Sequence, residues 1–435
     1  MAHTVREIAA PDLDNAPSAA AAIQQAIDAL PAEGGRVVLP AGEWLLDRGI
    51  ALRSGVELTG QGDDTLLKKA PGRVYPFTGY HNYGMCDVPL MFTDGLEVGM
   101  TVAVRDRAHG GFFETLARIT WVEDNWVGLD RGVHSDYLAE QGPELVTAFP
   151  LVYAEGAHDV AVRNLNLDGN REEQPDGIGS CRGAAVYFIH CARFAVSDVV
   201  ERGFYGEGLG FQLCRDGRIE RCRFDDNLGN GYHPGAGSTG VLFADCVAQG
   251  NSRSGFFFCV RANHITVRGC TFQENAAYGV SVGTRDCHNV IVDCVIEGNA
   301  GPGVYFRPTE RPVEVHSCIV RGCRIAGNAA QPATNLSPLS AQIEIAGDAH
   351  DLLLIGNTIQ SSVDATGSSP GIAVGPHAER VWIADNTIQN CWPPIIAEQR
   401  CLASEEPPIE AGHETVRERH YRHLAPQTPG KGAEA

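Results

Sequence analysis

The chain has 435 residues, 43% of them hydrophobic, with 50 Gly, few Lys and a formal net charge of −20. That length suits one large solenoid or two to three ordinary domains, and the Gly-rich mix suits a turn-rich β protein better than a helical one. The negative field repels phosphate backbones, which argues against nucleic acid as a partner, and no apolar run reaches the roughly 18 residues of a membrane span.

Residues 1–7 lack a basic stretch leading into an apolar one, so no secretory leader is expected and a cytoplasmic location is. The first predicted element is a helix over 19–30. Asn15 and Ser18 are its candidate caps, Ile23, Ile27 and Leu30 share one face, and Pro31 stops it. An open solenoid end needs a cover, and this helix is expected to supply it. Residues 34–44 then lead into the first coils.

From about 75 to 150 the chain turns aromatic and polar, with Tyr75, Phe77, Tyr80, His81, Tyr83, Phe112, Phe113, Trp121, Trp126 and Tyr137. The stretches 99–105 and 117–122 alternate like strands of a small inserted β module. Beside a solenoid, such a module is either a wall for a sugar site, because sugars stack on aromatic rings, or a lid that packs only on the cap.

A repeat follows. Segments ending at Asn227, Asn251, Asn275 and Asn299 recur every 24 residues, and the next, at Asn328, comes after 29. Cys222, Cys246, Cys270, Cys294 and Cys323 keep the same steps, and Asn357 and Asn386 continue the Cys column. A fixed period built from short alternating strands marks a solenoid whose coils stack about 4.8 Å apart, like on like. The Asn column fits a bend, with left-handed backbone geometry and side-chain amides bonding to the coils above and below. The Cys column fits a narrow inward position where Cys acts as a small hydrophobe, so reduced thiols rather than disulfides are expected. Gly183, Gly208, Gly231, Gly255, Gly279, Gly303 and Gly371 each precede a return strand. Alternation places Val186, Phe211, Phe258, Val282, Phe306 and Val374 inside that strand. The division read from these features is a cap with the first coils (1–74), an inserted β module (75–150), the coils (151–404) and an aperiodic, mobile tail (405–435).

The opening over 22–42, Ala22-Ile23-Gln24 through Leu39-Pro40-Ala41-Gly42, and the Asn-ended coils resemble the pectate-lyase-like superfamily of right-handed parallel β-helices. The resemblance covers roughly 15–75 and 150–400. It implies an all-β, single-stranded right-handed parallel β-helix and a carbohydrate-active protein. It does not imply one reaction, since the superfamily holds polysaccharide lyases, glycoside hydrolases, epimerases, esterases and phage adhesins. Asp225-Asp226 and Gly231-Tyr232-His233 share one coil, unlike the arrangement of polygalacturonase-like enzymes, and the Asp pair sits at the bend. The outward positions carry no carboxylate cluster of the pectate-lyase kind, so neither Ca²⁺ nor another metal or cofactor is expected. Side-by-side association into a homo-oligomer, a trimer, recurs among proteins of this resemblance.

The outward face of the return strand collects Arg182, Tyr187, Glu207, Gln212, His233, Phe257, Cys259, Arg261, Ser281, Arg285, Asp286, Tyr305, Arg307, Glu310 and Glu344. His233 stands out in the Gly-rich run 231–238, against the alternative of a surface or structural His. Arg261, Arg285 and Arg307 read as a row of cations on adjacent coils, suited to bidentate carboxylate binding, or as partners of Asp286 and Glu310 in surface pairs. Three functions follow. The leading one cleaves glycosidic bonds of an oligo- or polysaccharide by β-elimination at a uronate. There Arg261, Arg285 and Arg307 neutralise the carboxylate, and His233 or Tyr187 takes the adjacent proton. Arg182, Gln212, Tyr305 and Glu344 would contact the sugar. The second is glycoside hydrolysis by a carboxylate pair drawn from Glu207, Asp286, Glu310 and Glu344, of which Asp286 with Glu310 is best spaced. The third is a non-catalytic, carbohydrate-binding solenoid.

Overall fold

In the computed structural model, which describes residues 5–8, 18–110, 113–175, 183–329, 339–362 and 369–414, the repeat is a right-handed parallel β-helix. One side of the coil is an 11-stranded parallel sheet running from Ile50–Leu52 to Ile395–Ile396; a 21-stranded assembly forms the rest of the wall. Like stacks on like because each inward side chain meets its counterpart one coil away. Val152, Val186, Leu209, Tyr232, Phe256, Val280 and Val304 make one such column. Val186, Phe211, Phe258, Val282, Phe306 and Val374 all point into the core, as alternation requires.

The two repeated columns have separate physical roles. Each Asn amide donates to the side-chain oxygen of the next, from Asn227 to Asn251, Asn275, Asn299 and Asn328 at 2.8–3.0 Å. The same oxygens accept the backbone N–H of the preceding coil's Asn. The buried bend is thereby satisfied without water. The left-handed backbone expected at these Asn falls one residue earlier, at Asp226, Gly250, Glu274, Gly298 and Gly327. That residue turns the chain so that the Asn side chain can point inward. The five Cys are buried and form no disulfide. Asn357 and Asn386 replace that packing with bonds, the Asn357 side-chain oxygen accepting from the Cys323 N–H at 2.9 Å.

The helix spans Ala19–Asp28, two residues shorter at its end than expected, with Ser18 as N-cap and Ile23 and Ile27 buried. Pro31 has no N–H to offer the Ile27 carbonyl, and at this end the Arg53 guanidinium donates to the carbonyls of Ile27, Leu30 and Pro31 instead. Asn15, the other candidate cap, lies outside the described residues, as does the tail from 415.

Between the strands Thr65–Lys69 and Val152–Glu155 the chain leaves the solenoid and builds a six-stranded antiparallel sheet. Its order is Val74–Pro76, Glu144–Thr147, Thr101–Arg105, Thr115–Glu123, Trp126–Leu129 and Asp87–Pro89. A bridge between Phe77 and Leu90 joins the first strand to the last and closes a small barrel. Tyr75, Phe77, Val102, Val104, Ile119, Val127 and Leu129 fill it. The barrel has its own core and no open sheet edge, so its outer wall is free to serve a site.

Candidate functional site

The outward column of the 11-stranded sheet runs Tyr153, Tyr187, Gly210, His233, Phe257, Ser281, Tyr305 and Glu344. Beyond Tyr187 these outward groups are largely buried: Ser281, Glu344, His233 and Tyr305 are each at most 5% exposed. Glu207, which precedes its strand's inward residues, is buried as well. It accepts the Asn230 N–H and brings Oε1 within 3.1 Å of His233 Nδ1. Glu207 and His233 are therefore one buried pair, with the Phe257 ring 5.2 Å from the imidazole. The Tyr305 ring lies tilted against that of Tyr278, centroids 4.7 Å apart, and Tyr305 pairs in register with Glu344; burial, and then Glu344, push its phenol well above the ordinary value. Gln212 lies across Gly235, whose missing Cβ makes the room.

The expected row of arginines does not form. Arg261 and Arg285 stand past the strand end on left-handed turns, exposed. Arg307 directly follows the strand Val304–Phe306 and folds back across Gly283, where a Cβ would lie 2.0 Å from the guanidinium. There it donates to Ser281 Oγ at 2.7 Å and to the Phe258 carbonyl at 2.9 Å, over the Phe257 ring. Asp286, expected outward, is fully buried because its carboxylate folds into the bend, accepting the Gly283 and Ala262 N–H groups, with Arg307 3.4 Å away. Burial lifts its carboxyl to about 6 against the opposing pull of Arg307. Glu310 is exposed on the following turn, so the Asp286–Glu310 carboxylate pair is not assembled. Arg182 lies outside the described residues.

An open cleft of about 200 Å³ lies at the other end of this face, where the barrel meets the sheet. One wall is barrel: Arg118 on the Thr115–Glu123 strand, and Asp130, Arg131 and His134 in the turn after Trp126–Leu129. The facing wall is sheet: Tyr153, Glu155 and Tyr187. The Asp130 N–H donates to the Arg118 carbonyl and the Arg118 N–H to the Asp130 carboxylate, both at 2.9 Å, which extends the hairpin and fixes Asp130 at the mouth. Burial alone would raise the Asp130 carboxyl, but bonds from Arg131 and the Arg118 N–H outweigh it and hold it below its ordinary value. Burial raises the Tyr153 phenol, opposed by nearby Arg118 and reinforced by Glu155. Arg118, an Arg131–Asp130 ion pair, Glu155, an imidazole and two phenols thus share one opening, an arrangement able to hold an anion at Arg118 and move a proton.

Among the described residues, Tyr187 is the one sequence candidate that lines this cleft. Arg118, Asp130, Arg131 and His134 were overlooked because the inserted segment has no repeat against which an odd residue stands out, and Tyr153 because it lies on the coil that directly follows that segment. The available signal was the cluster Asp130-Arg131-Gly132-Val133-His134 directly after a strand. Among the described residues, no group of His, Cys, Asp and Glu is arranged to hold a metal ion, and no helix is long and apolar enough to cross a membrane.

Comparison with known proteins places the fold. The profile of the family described as "right handed beta helix region" matches residues 151–289 and 184–359. No curated protein matches in sequence. Among solved structures, the A-module of a mannuronan C-5 epimerase from Azotobacter vinelandii superposes with a TM-score of 0.57 at 17% identity, covering 89% of this chain and 96% of that one. Endo-xylogalacturonan hydrolase from Aspergillus tubingensis superposes with a TM-score of 0.55 at 11% identity, covering 94% of this chain and 100% of that one. At these identities the likeness is one of fold.

Proposed function

We propose that this right-handed parallel β-helix protein is a carbohydrate-active enzyme that cleaves an acidic saccharide by β-elimination at a uronate, with the barrel–sheet cleft as its active site. The observation that carries the reading is the cleft itself: Arg118 and Arg131 on one wall, His134 beside them, and Tyr153 and Tyr187 opposite. Two of the solved structures with this fold are named for acting on mannuronan and xylogalacturonan, polymers built on uronates, which supports the substrate class.

In this reading Arg118 neutralises the sugar carboxylate, with Arg131 beside it paired to Asp130, so the adjacent C–H becomes acidic. His134 accepts that proton, the electron pair forms the ring double bond, and the glycosidic C–O bond breaks. The Tyr153 hydroxyl, kept protonated by burial, gives its proton to the departing oxygen. Tyr187, one coil further along the face, lines the floor beneath the sugar. Hydrolysis is less well supported. Of the cleft carboxylates, Asp130 is held ionised by Arg131 and is a poor general acid.

The test is product analysis on oligouronates with wild type, Arg118→Ala, His134→Ala and Tyr153→Phe. The expected product is an unsaturated sugar absorbing in the near ultraviolet, with turnover falling roughly 100-fold or more in the His and Tyr variants. Full activity in both of those variants would remove the reading. Solvent deuterium entering the sugar without chain cleavage would move it to epimerisation at the same carbon.

A further inference from the structure

The outer wall of the barrel continues the cleft in a different chemical character. On the Thr115–Glu123 strand the core residues Ala117 and Ile119 give way, across a register shift between Ile119 and Trp121, to partly buried Val122. The shift puts Trp121 on the same outer side as Arg118. Its partner is Gly128, where a Cβ would fall 2.0 Å from the indole nitrogen, so the ring lies flat over bare backbone. Next to it on that side stands Trp126, paired across the hairpin with Glu123 and across the other neighbour with Pro89. The two indoles are 40% and 43% exposed. Along the Trp126–Leu129 strand the face runs from Trp126 through Gly128 to Asp130 at the cleft mouth, roughly 14 Å at a strand's rise per residue.

Charge changes along this path. The cleft end carries Arg118 and an Arg131–Asp130 ion pair. The indole end carries no Arg or Lys in Trp121–Glu123, Trp126–Leu129 or Asp87–Pro89, and its charged groups are Asp87 and Glu123. A flat aromatic surface with carboxylates beside it suits the C–H face of a pyranose whose hydroxyls donate to the acids, and it repels a second uronate.

We propose that Trp121 and Trp126 form accessory subsites for neutral pyranose units of the saccharide whose uronate occupies the cleft, so that the preferred substrate is a mixed acidic and neutral chain. The inference rests on the cleft as the uronate site. It makes the barrel a reader of the sugars flanking the reacting one, and Gly128 a positioning residue that acts through Trp121.

The experiment is tryptophan fluorescence titration and steady-state kinetics with three probes. These are a hexasaccharide alternating glucuronate and glucose, its disaccharide, and a galacturonate hexamer. Wild type is expected to bind the mixed hexamer most tightly. Trp121→Ala, Trp126→Ala and Gly128→Ala should each weaken that binding about fivefold to tenfold and leave the disaccharide unchanged. Gly128→Ala keeps both indoles and only tips one, so a loss there cannot come from the missing ring. Unchanged affinity in both Trp variants overturns the proposal, as does a galacturonate hexamer that binds as well as the mixed one with the same sensitivity. If Arg118→Ala binds and turns over normally while the Trp variants lose affinity, the cleft assignment fails and the platform stands; the reverse pattern retains the cleft and removes the platform.

Discussion

Lys69 offers a sharp test of how this core tolerates charge. It is the last inward residue of Thr65–Lys69, fully buried, with Nζ 3.9 Å from the centre of the Phe149 ring and 4.9 Å from that of Tyr205. Burial lowers its ammonium from 10.5 to about 7. A base whose folded value is depressed destabilises the fold fully below that value, and the penalty is relieved as pH rises toward the unfolded value. At 1.36 kcal/mol per unit, the cost near neutral pH is roughly 4 kcal/mol, falling to about 1.5 kcal/mol near pH 9.5. The two ring contacts return roughly 1–2 kcal/mol to the charged form. Lys69→Met, of similar shape and without charge, is therefore expected to stabilise the protein by roughly 2–3 kcal/mol near pH 7 and by markedly less near pH 9.5. Urea unfolding of both proteins across that range measures it. A difference that stays constant with pH, or a less stable Met variant at neutral pH, refutes the reasoning.

Other perturbations separate the roles of neighbouring groups. Asn275→Ala removes the amide bonds to Asn299 and the Ala248 carbonyl and strands the Asn251 donors; a loss of roughly 3–5 kcal/mol in denaturant unfolding is expected. Glu201 is buried in the core beneath the Asn ladder and donated to by Asn227, and burial holds its carboxyl well above the ordinary value. An acid with a raised folded value weakens the fold as pH rises past its unfolded value. Glu201→Gln should therefore gain stability at mildly alkaline pH and little in acid, read by thermal unfolding at both. Gly283→Ala drives Arg307 off Ser281 and Phe258, costing roughly 2–3 kcal/mol, and much less in an Arg307→Ala background, as a double-mutant cycle reports. His233→Ala should lower stability by leaving Glu207 buried without its 3.1 Å neighbour, while turnover at the cleft persists in the product assay.

The solenoid was legible because a period makes every residue comparable with its counterparts. The Asn and Cys columns, and the inward Val and Phe positions, follow from that comparison alone. Finer geometry did not follow. Left-handed backbone was expected at the Asn itself, yet the turn is made by the residue before it, since the Asn amide must face inward to reach the next coil. Arg307 looked like a member of the Arg261 and Arg285 row because its strand end was not visible; Gly283 supplied the space that bent it back. Alternation identifies which side chains leave the core and is silent on what covers them, so His233 and Glu344 read as accessible but are buried. The barrel offered no repeat at all: its closure depends on pairings between strands distant in sequence, and the register shift that puts Arg118 and Trp121 on one outer side breaks the alternation a sequence reading relies on.

The Asn ladder carries a consequence for how such a chain changes length. Every amide in it points the same way, each donating to the next coil, so each rung presents the same socket to whatever follows. Excising one full coil of 24 residues, from 252 to 275, would bring the rung at Asn251 against the rung at Asn299 with matching donor and acceptor. The coil is thus an interchangeable unit. The solenoid can be shortened or extended in whole steps downstream while the helix, the barrel and the cleft keep their places at the opposite end.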